Sequence, residues 1–207
     1  MSATTTAPRV PAPEFIESAG FRQFTIGEYH EMIRTGILMD GDPYELLEGW
    51  MVKKMSRGTS HDAIIQALFK RLLRLAPNGW DVRGQCAVTI APDDSEPEPD
   101  FALVRGDENT FRDRHPEPAD IGLVVEVSAS SLRVDRVGKG RIYARAGIPV
   151  YWVVNVPEKL VEVYTQPTGT GDDAAYAHRQ DYAPGSAVPV TLDGAQVGTV
   201  SVSDIFG

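Results

Sequence analysis

The sequence predicts a mixed α/β (α+β) fold, a β-sheet flanked by helices with additional β-hairpins toward the C-terminus. Three observations carry this. Ile121-Gly122-Leu123-Val124-Val125-Glu126-Val127 is an almost continuous apolar run, as a central strand covered on both faces requires. Ile64, Leu68, Leu72 and Leu75 recur at helical spacing and give a helix one face to lay on that sheet. A second helix-length segment, 130–146, joins the central strand to another apolar strand at 150–156.

A chain of 207 residues with 42% apolar composition can bury one substantial core and suits one domain better than two. Residues 1–20, rich in Thr, Ala and Pro, cannot offset by burial the entropy of being ordered. They are expected to form a flexible N-terminal arm ahead of a domain over 21–207. No apolar run reaches 18 residues, and the N-terminus lacks the basic start and apolar middle of a secretion signal. The expectation is a cytoplasmic protein with no membrane partner. Cys86 is the only cysteine, which leaves no internal disulfide or thiolate zinc site and reads as a buried thiol in a strand.

Thr25 introduces a short helix over 26–35. Gly41-Asp42-Pro43 then turns the chain into a hairpin whose strands flank Glu48-Gly49, where the glycine supplies the positive φ of a tight turn. Thr59 or Ser60 is the expected cap of the next helix, which Pro77-Asn78-Gly79 stops. Strands follow at 80–90 and 100–104 around the acidic, proline-containing loop 92–99, and the polar loop 105–119 leads to the central strand. The helix over 130–146 aligns Val134, Gly138, Ile142 and Ala146 in one row for close approach to the sheet, with Lys139 bordering that row. Gly147-Ile148-Pro149 ends it. Strands at 150–156, 160–165, 176–181, 188–192 and 197–202 complete the chain.

Glu126 is the one charge in the central strand, and a buried carboxylate needs a cation, a metal or several donors to remain ionised. An arginine of the following helix is the structural alternative to a metal. Asp100 follows Pro99, whose ring biases Glu98 towards extended backbone, although Pro-Asp alone also occurs in many turns. Two carboxylates on neighbouring strand ends can hold a divalent cation over a phosphodiester. Lys139 could stabilise charge on the phosphate, or be a surface lysine. Asp135, four residues earlier, could orient Lys139 or pair with it at the surface. For a third acidic position the turn already explains Glu48, so Glu45 is favoured. His61 leans towards the buried side of its helix, as a hydrogen-bonded core residue or as a ligand or base. Tyr143, Tyr151 and Trp152 read as core or rim aromatics.

The formal charge of -9 opposes broad electrostatic attachment to nucleic acid. Within 130–147, however, Arg133, Arg136, Lys139, Arg141 and Arg145 face Asp135 alone, a local balance of +4. Such a run is either a solvated helix face or a track for phosphates, with Arg133, Arg136 and Arg141 as the candidate nucleic-acid contacts.

Taken together, Tyr44-Glu45-Leu46-Leu47-Glu48-Gly49, His61, Pro99-Asp100, Val124-Val125-Glu126-Val127-Ser128, Asp135-Arg136 with Lys139, and Tyr143-Ala144-Arg145-Ala146-Gly147-Ile148-Pro149-Val150-Tyr151-Trp152 resemble the Uma-type family of restriction-endonuclease-like proteins. The resemblance covers residues 24–206. It implies the PD-(D/E)xK nuclease fold and cleavage of nucleic acid, DNA being the expected substrate, with Mg²⁺ as cofactor and Mn²⁺ as its substitute. It also implies a homodimer. Asp100 matches the acidic residue of the first motif and Glu126 that of the second, which makes them the metal ligands; Lys139, Glu45 and His61 complete the catalytic set. Where the broad superfamily has its lysine, two residues after the glutamate, this chain has Ser128, and in the family resembled that lysine lies on the following helix, at the place of Lys139. Two other functions compete. One is a catalytically inactive nuclease-like scaffold that binds nucleic acid or a protein partner, favoured by Ser128 and the overall acidity. The other is a two-carboxylate glycoside hydrolase, for whose cleft the sequence supplies no aromatic run.

Overall fold

The structure, a computed structural model, describes residues 21–39, 41–55, 58–107 and 109–207, so the arm expected over 1–20 lies outside the described residues. Helix α1 (Ile26–Arg34) starts where predicted: Thr25 Oγ1 accepts the Glu28 N–H while the Glu28 carboxylate accepts the Thr25 N–H, a capping box. Strands β1 (Tyr44–Leu47) and β2 (Trp50–Lys53) pair antiparallel around Glu48 and Gly49, with φ of 52° and 77°, the two left-handed residues that a tight two-residue hairpin turn requires. Helix α2 (Thr59–Leu75) buries Ile64, Leu68 and Leu72. Its N-cap is Gly58, with no side-chain capping bond; Thr59 and Ser60, the expected caps, lie inside the first turn.

Six strands form the central sheet in the order β3 (Trp80–Gly84), β4 (Phe101–Arg105), β5 (Ile121–Ser128), β6 (Val150–Asn155), β7 (Leu160–Thr168) and β8 (Ala175–Tyr182). All neighbours are antiparallel except β5 and β6, which are parallel. Parallel neighbours need a long crossover, and here it carries a π-helical stretch (Val134–Lys139) that runs into helix α3 (Gly140–Arg145). Beyond the sheet, β9 (Ala187–Leu192) and β10 (Ala195–Ser201) form a separate hairpin, followed by the short helix α4 (Val202–Phe206).

Every residue of β5 is buried, as its apolar run demanded. On one side of the sheet Val125, Val127 and Trp152 pack with Leu68 and Leu72 of α2, Val188 and Val190 of β9 and Ile205 of α4. On the other, Val124, Tyr151 and Val153 pack with Ile142 and Tyr143 of α3. Fully burying a side chain of this size contributes about 1.5–3 kcal/mol, so the two layers hold α2 and α3 firmly against opposite faces. Gly122 permits the close fit at the β9 end: a Cβ there would lie 2.6 Å from the Trp80 ring and 2.9 Å from Leu192.

The structure corrects the sequence in two further places. The strand expected over 80–90 ends at Gly84, because Gln85 takes a left-handed φ of 55° and turns the chain out of the ladder. Cys86 is consequently half-buried, its Sγ–H donating to the Gly84 carbonyl at 3.3 Å, instead of being a thiol in a strand core. The helix expected over 130–146 is not uniformly α. One extra residue in the π-helical stretch rotates the buried row, so Val134 is 39% exposed while Asp135 and Lys139 face inward.

Candidate active site

Alternation along β5 sends Val125 and Val127 to the α2 side and Glu126 to the α3 side. The β4–β5 register pairs Phe101 with Val125, and continuing it by one residue sets Asp100 across from Glu126. Asp100 is fixed there by the Val127 N–H, which donates to its Oδ2 at 2.8 Å, and His61 Nε2 lies 3.4 Å from the same oxygen. From the opposite side Lys139 Nζ reaches Glu126 Oε1 at 2.9 Å and Glu45 Oε2 at 3.0 Å. Glu45 Oε2 also accepts the Glu98 N–H, and the Tyr143 hydroxyl donates to Glu126 Oε1 at 2.9 Å. Asp135 accepts hydrogen bonds from the Ser128 and Ser131 hydroxyls, while its backbone carbonyl accepts one from Tyr151. Glu45, His61, Asp100, Glu126, Asp135 and Lys139 therefore line one cleft, and none is more than 6% exposed.

Several alternatives left open by the sequence are closed by this geometry. The partner of Glu126 is Lys139 and not an arginine; Lys139 and Asp135 are buried and not at the surface. Glu48 sits in the hairpin turn, where Arg141 Nε donates to it at 3.2 Å and Arg145 Nη2 at 2.7 Å. The two glutamates thus divide the work: Glu48 clamps the hairpin to α3, and Glu45 enters the cleft. Of the arginines considered as backbone contacts, Arg136 donates to Glu162 at 2.9 Å and Arg141 to Glu48, whereas Arg133 is exposed and forms no ion pair among the described residues. Tyr151 and Trp152 are core residues as expected. Tyr143 is core and also a donor to Glu126, a role visible in the sequence only as its spacing of four from Lys139.

Four buried carboxylates share this space with one ammonium. Burial pushes Glu126 well above the usual carboxylate range; Lys139 opposes the shift, and Asp135, Asp100 and Glu45 add to it. Burial likewise raises Asp135, against the pull of Lys139 and of the two serines. For Lys139 burial alone would lower the ammonium, but Glu126, Glu45 and Asp135 hold it above its ordinary value, so it stays charged. Burial, and then the Glu126 charge, raise the Tyr143 phenol, which remains a donor. An excess of buried negative charge is what a divalent cation neutralises. Among the described residues no three His, Cys, Asp or Glu side chains form a complete cage. The Asp100 and Glu126 carboxylates nevertheless offer the oxygens that suit a divalent ion which keeps most of its waters and takes one or two carboxylates.

The family model Uma2, described as "Putative restriction endonuclease", matches residues 26–197. The chain belongs to the Uma2 family. Its fold is also similar to that of a crystal structure titled as a "putative nuclease belonging to DUF820" from Anabaena variabilis, with a TM-score of 0.66 and 16% identity over 88% of this chain and 97% of that one. That likeness supports the restriction-endonuclease-like mixed sheet with flanking helices expected for a Uma2 protein. No curated protein matches the chain. Among the described residues of this Uma2 chain no helix is long and apolar enough to cross a membrane.

Proposed function

We propose that this Uma2 protein is a divalent-metal-dependent endonuclease that hydrolyses phosphodiester bonds of nucleic acid, DNA in the first place, with Mg²⁺ as cofactor and Mn²⁺ able to replace it. The observation that carries the reading is Lys139 Nζ bridging Glu45 and Glu126 at 3.0 and 2.9 Å, in the same cleft where Asp100 stands across from Glu126. In this reading Asp100 and Glu126 bind the cation through their oxygens. The ion, when bound, supplies Lewis-acid polarisation of the phosphate and water of lowered pKa. Glu45 keeps the ammonium of Lys139 beside Glu126, pre-oriented towards the negative charge that grows on the phosphate in the transition state. His61 steadies Asp100 at Oδ2, and Asp135, held by two serines, adds to the field that keeps Lys139 protonated. Arg133 contacts the nucleic-acid backbone, while Arg136 and Arg141, the other two arginines expected to do so, are held by Glu162 and Glu48 and brace the fold beside it. A homodimer would present one cleft to each strand of a duplex.

The test is a cleavage assay on DNA and RNA with Mg²⁺, Mn²⁺ or EDTA, run on the parent and on Asp100→Ala, Glu126→Ala and Lys139→Ala, with folding followed by circular dichroism. Metal-dependent cleavage that drops about 10²–10³-fold in each folded variant is expected. A folded parent that binds nucleic acid yet cuts with neither ion overturns the enzyme reading in favour of the inactive scaffold.

A further inference from the structure

Among the described residues, the donors to Glu126 all fall on one of its oxygens. Lys139 Nζ and the Tyr143 hydroxyl both donate to Oε1, each at 2.9 Å, and among the described residues no hydrogen bond is made to Oε2. The two donors stand four residues apart on one helical run and so project from the same face. They differ in stiffness. The lysine ends a flexible four-carbon stem, whereas the Tyr143 ring is fully buried, packed edge-on against Tyr151 with centroids 5.1 Å apart and planes at 62°. Tyr151 is itself tied to the Asp135 carbonyl at 3.0 Å. Rotation about the last torsion of a glutamate has a broad, shallow profile, so a carboxylate held by the lysine alone would be free to swing.

We infer that Tyr143 is a positioning residue for the metal ligand: its hydroxyl fixes the plane of the Glu126 carboxylate and turns Oε2 towards the cation shared with Asp100. The inference rests on the metal-dependent reading above and adds to it the group that orients the ligand. Partners that hydrogen-bond a metal-ligating side chain typically change metal affinity by about 10–100-fold when removed.

The experiment is a Mn²⁺ titration of the full chain, by calorimetry or by the electron paramagnetic resonance of free Mn²⁺, on the parent, Tyr143→Phe and Tyr176→Phe. Phenylalanine keeps the ring packing in both variants. Tyr176 belongs to the same aromatic group, stacking on Tyr151, but its hydroxyl donates to the Ile148 carbonyl at 2.9 Å, away from Glu126. Tyr143→Phe should bind Mn²⁺ about 10–100-fold more weakly, and Tyr176→Phe as tightly as the parent. Parental affinity in a folded Tyr143→Phe overturns the inference and leaves the metal reading standing; a parent that takes up no Mn²⁺ overturns both. A crystal structure of the Mn²⁺-loaded parent is a check independent of variant folding: Oε2 on the ion with Oε1 still on Tyr143 supports the assignment, and Oε1 on the ion overturns it.

Discussion

Two buried glutamates lie in one cross-strand row of the sheet, since Glu126 pairs with Val153 and Val153 with Glu162, and their surroundings give them opposite thermodynamics. Glu162 accepts hydrogen bonds from Arg136, Asn155 and Tyr164 and has Arg179 nearby. Burial by itself would raise this carboxyl, yet Arg136, Tyr164 and Asn155 together hold it below its usual value. A carboxyl depressed in the folded state stabilises the fold above its unfolded pKa and loses that contribution as pH falls through the folded one. Glu162→Gln should therefore be less stable than the parent by about 1.5–3 kcal/mol at pH 7. The gap should shrink as the pH drops below about 4.5, and urea unfolding at stepped pH values measures it. A gap that grew in acid would contradict the assignment. Glu126 runs the other way. Its carboxyl is raised, so its ionised form opposes folding at neutral pH, and that contribution is relieved as the pH falls. A fully satisfied carboxylate such as Glu162 is explained by structure alone; an under-compensated one at the end of a central strand is what singles out Glu126 as a candidate site residue.

The π-helical stretch carries Asp135 and Lys139 on its buried side. Its defining contact, from the Gly140 N–H to the Asp135 carbonyl, is crowded enough that a Cβ on residue 140 would lie 3.3 Å from that oxygen. Deleting Val137, which is 61% exposed, should restore α-helical spacing and set Asp135 three residues from Lys139 instead of four. Asp135 would then shift in the cleft and lose Ser128, which stands on β5, while keeping Ser131. The expected result is a folded protein, by thermal melting, whose cleavage rate falls at least about tenfold; full activity in the deletion would show that the insertion is dispensable. The same element marks where sequence reading ran out. Local signals sufficed for α1, whose cap is written in Thr25 and Glu28, for the hairpin turn at Glu48-Gly49, and for β5. A π-turn has no such local cue: it depends on Tyr151, from a strand reached later in the chain, taking the Asp135 carbonyl. A period of 3.6 residues drawn through 130–146 consequently placed Val134 on the wrong side.

At the scale of the whole molecule, the acidic and lysine residues that meet in the candidate cleft were legible because a charge inside an apolar run, or directly after a proline at a strand start, has few structural explanations. The basic run was harder to read, because the carboxylates that answer it come from distant parts of the chain: Glu162 for Arg136, Glu48 for Arg141, and Glu48 with Asp93 for Arg145. A helix that looked like a phosphate track is largely neutralised by its own fold. This bears directly on how nucleic acid is bound. Salt dependence counts the phosphates neutralised, with a slope of about −0.9 per contact on duplex DNA. With a net charge of -9 and Arg133 the member of that run without an ion pair among the described residues, the logarithm of the association constant should fall against the logarithm of salt with a slope of only about −1 to −3. Fluorescence anisotropy between about 50 and 200 mM salt, with Ca²⁺ replacing Mg²⁺ to suppress cleavage, measures it. Arg133→Ala should flatten the slope by about 0.9, whereas Arg141→Ala should leave it unchanged and lower the melting temperature through the loss of Glu48. A slope steeper than about −5 would mean that Arg136, Arg141 and Arg145 release their carboxylates to the phosphates on binding, and that the hairpin they clamp moves with the substrate.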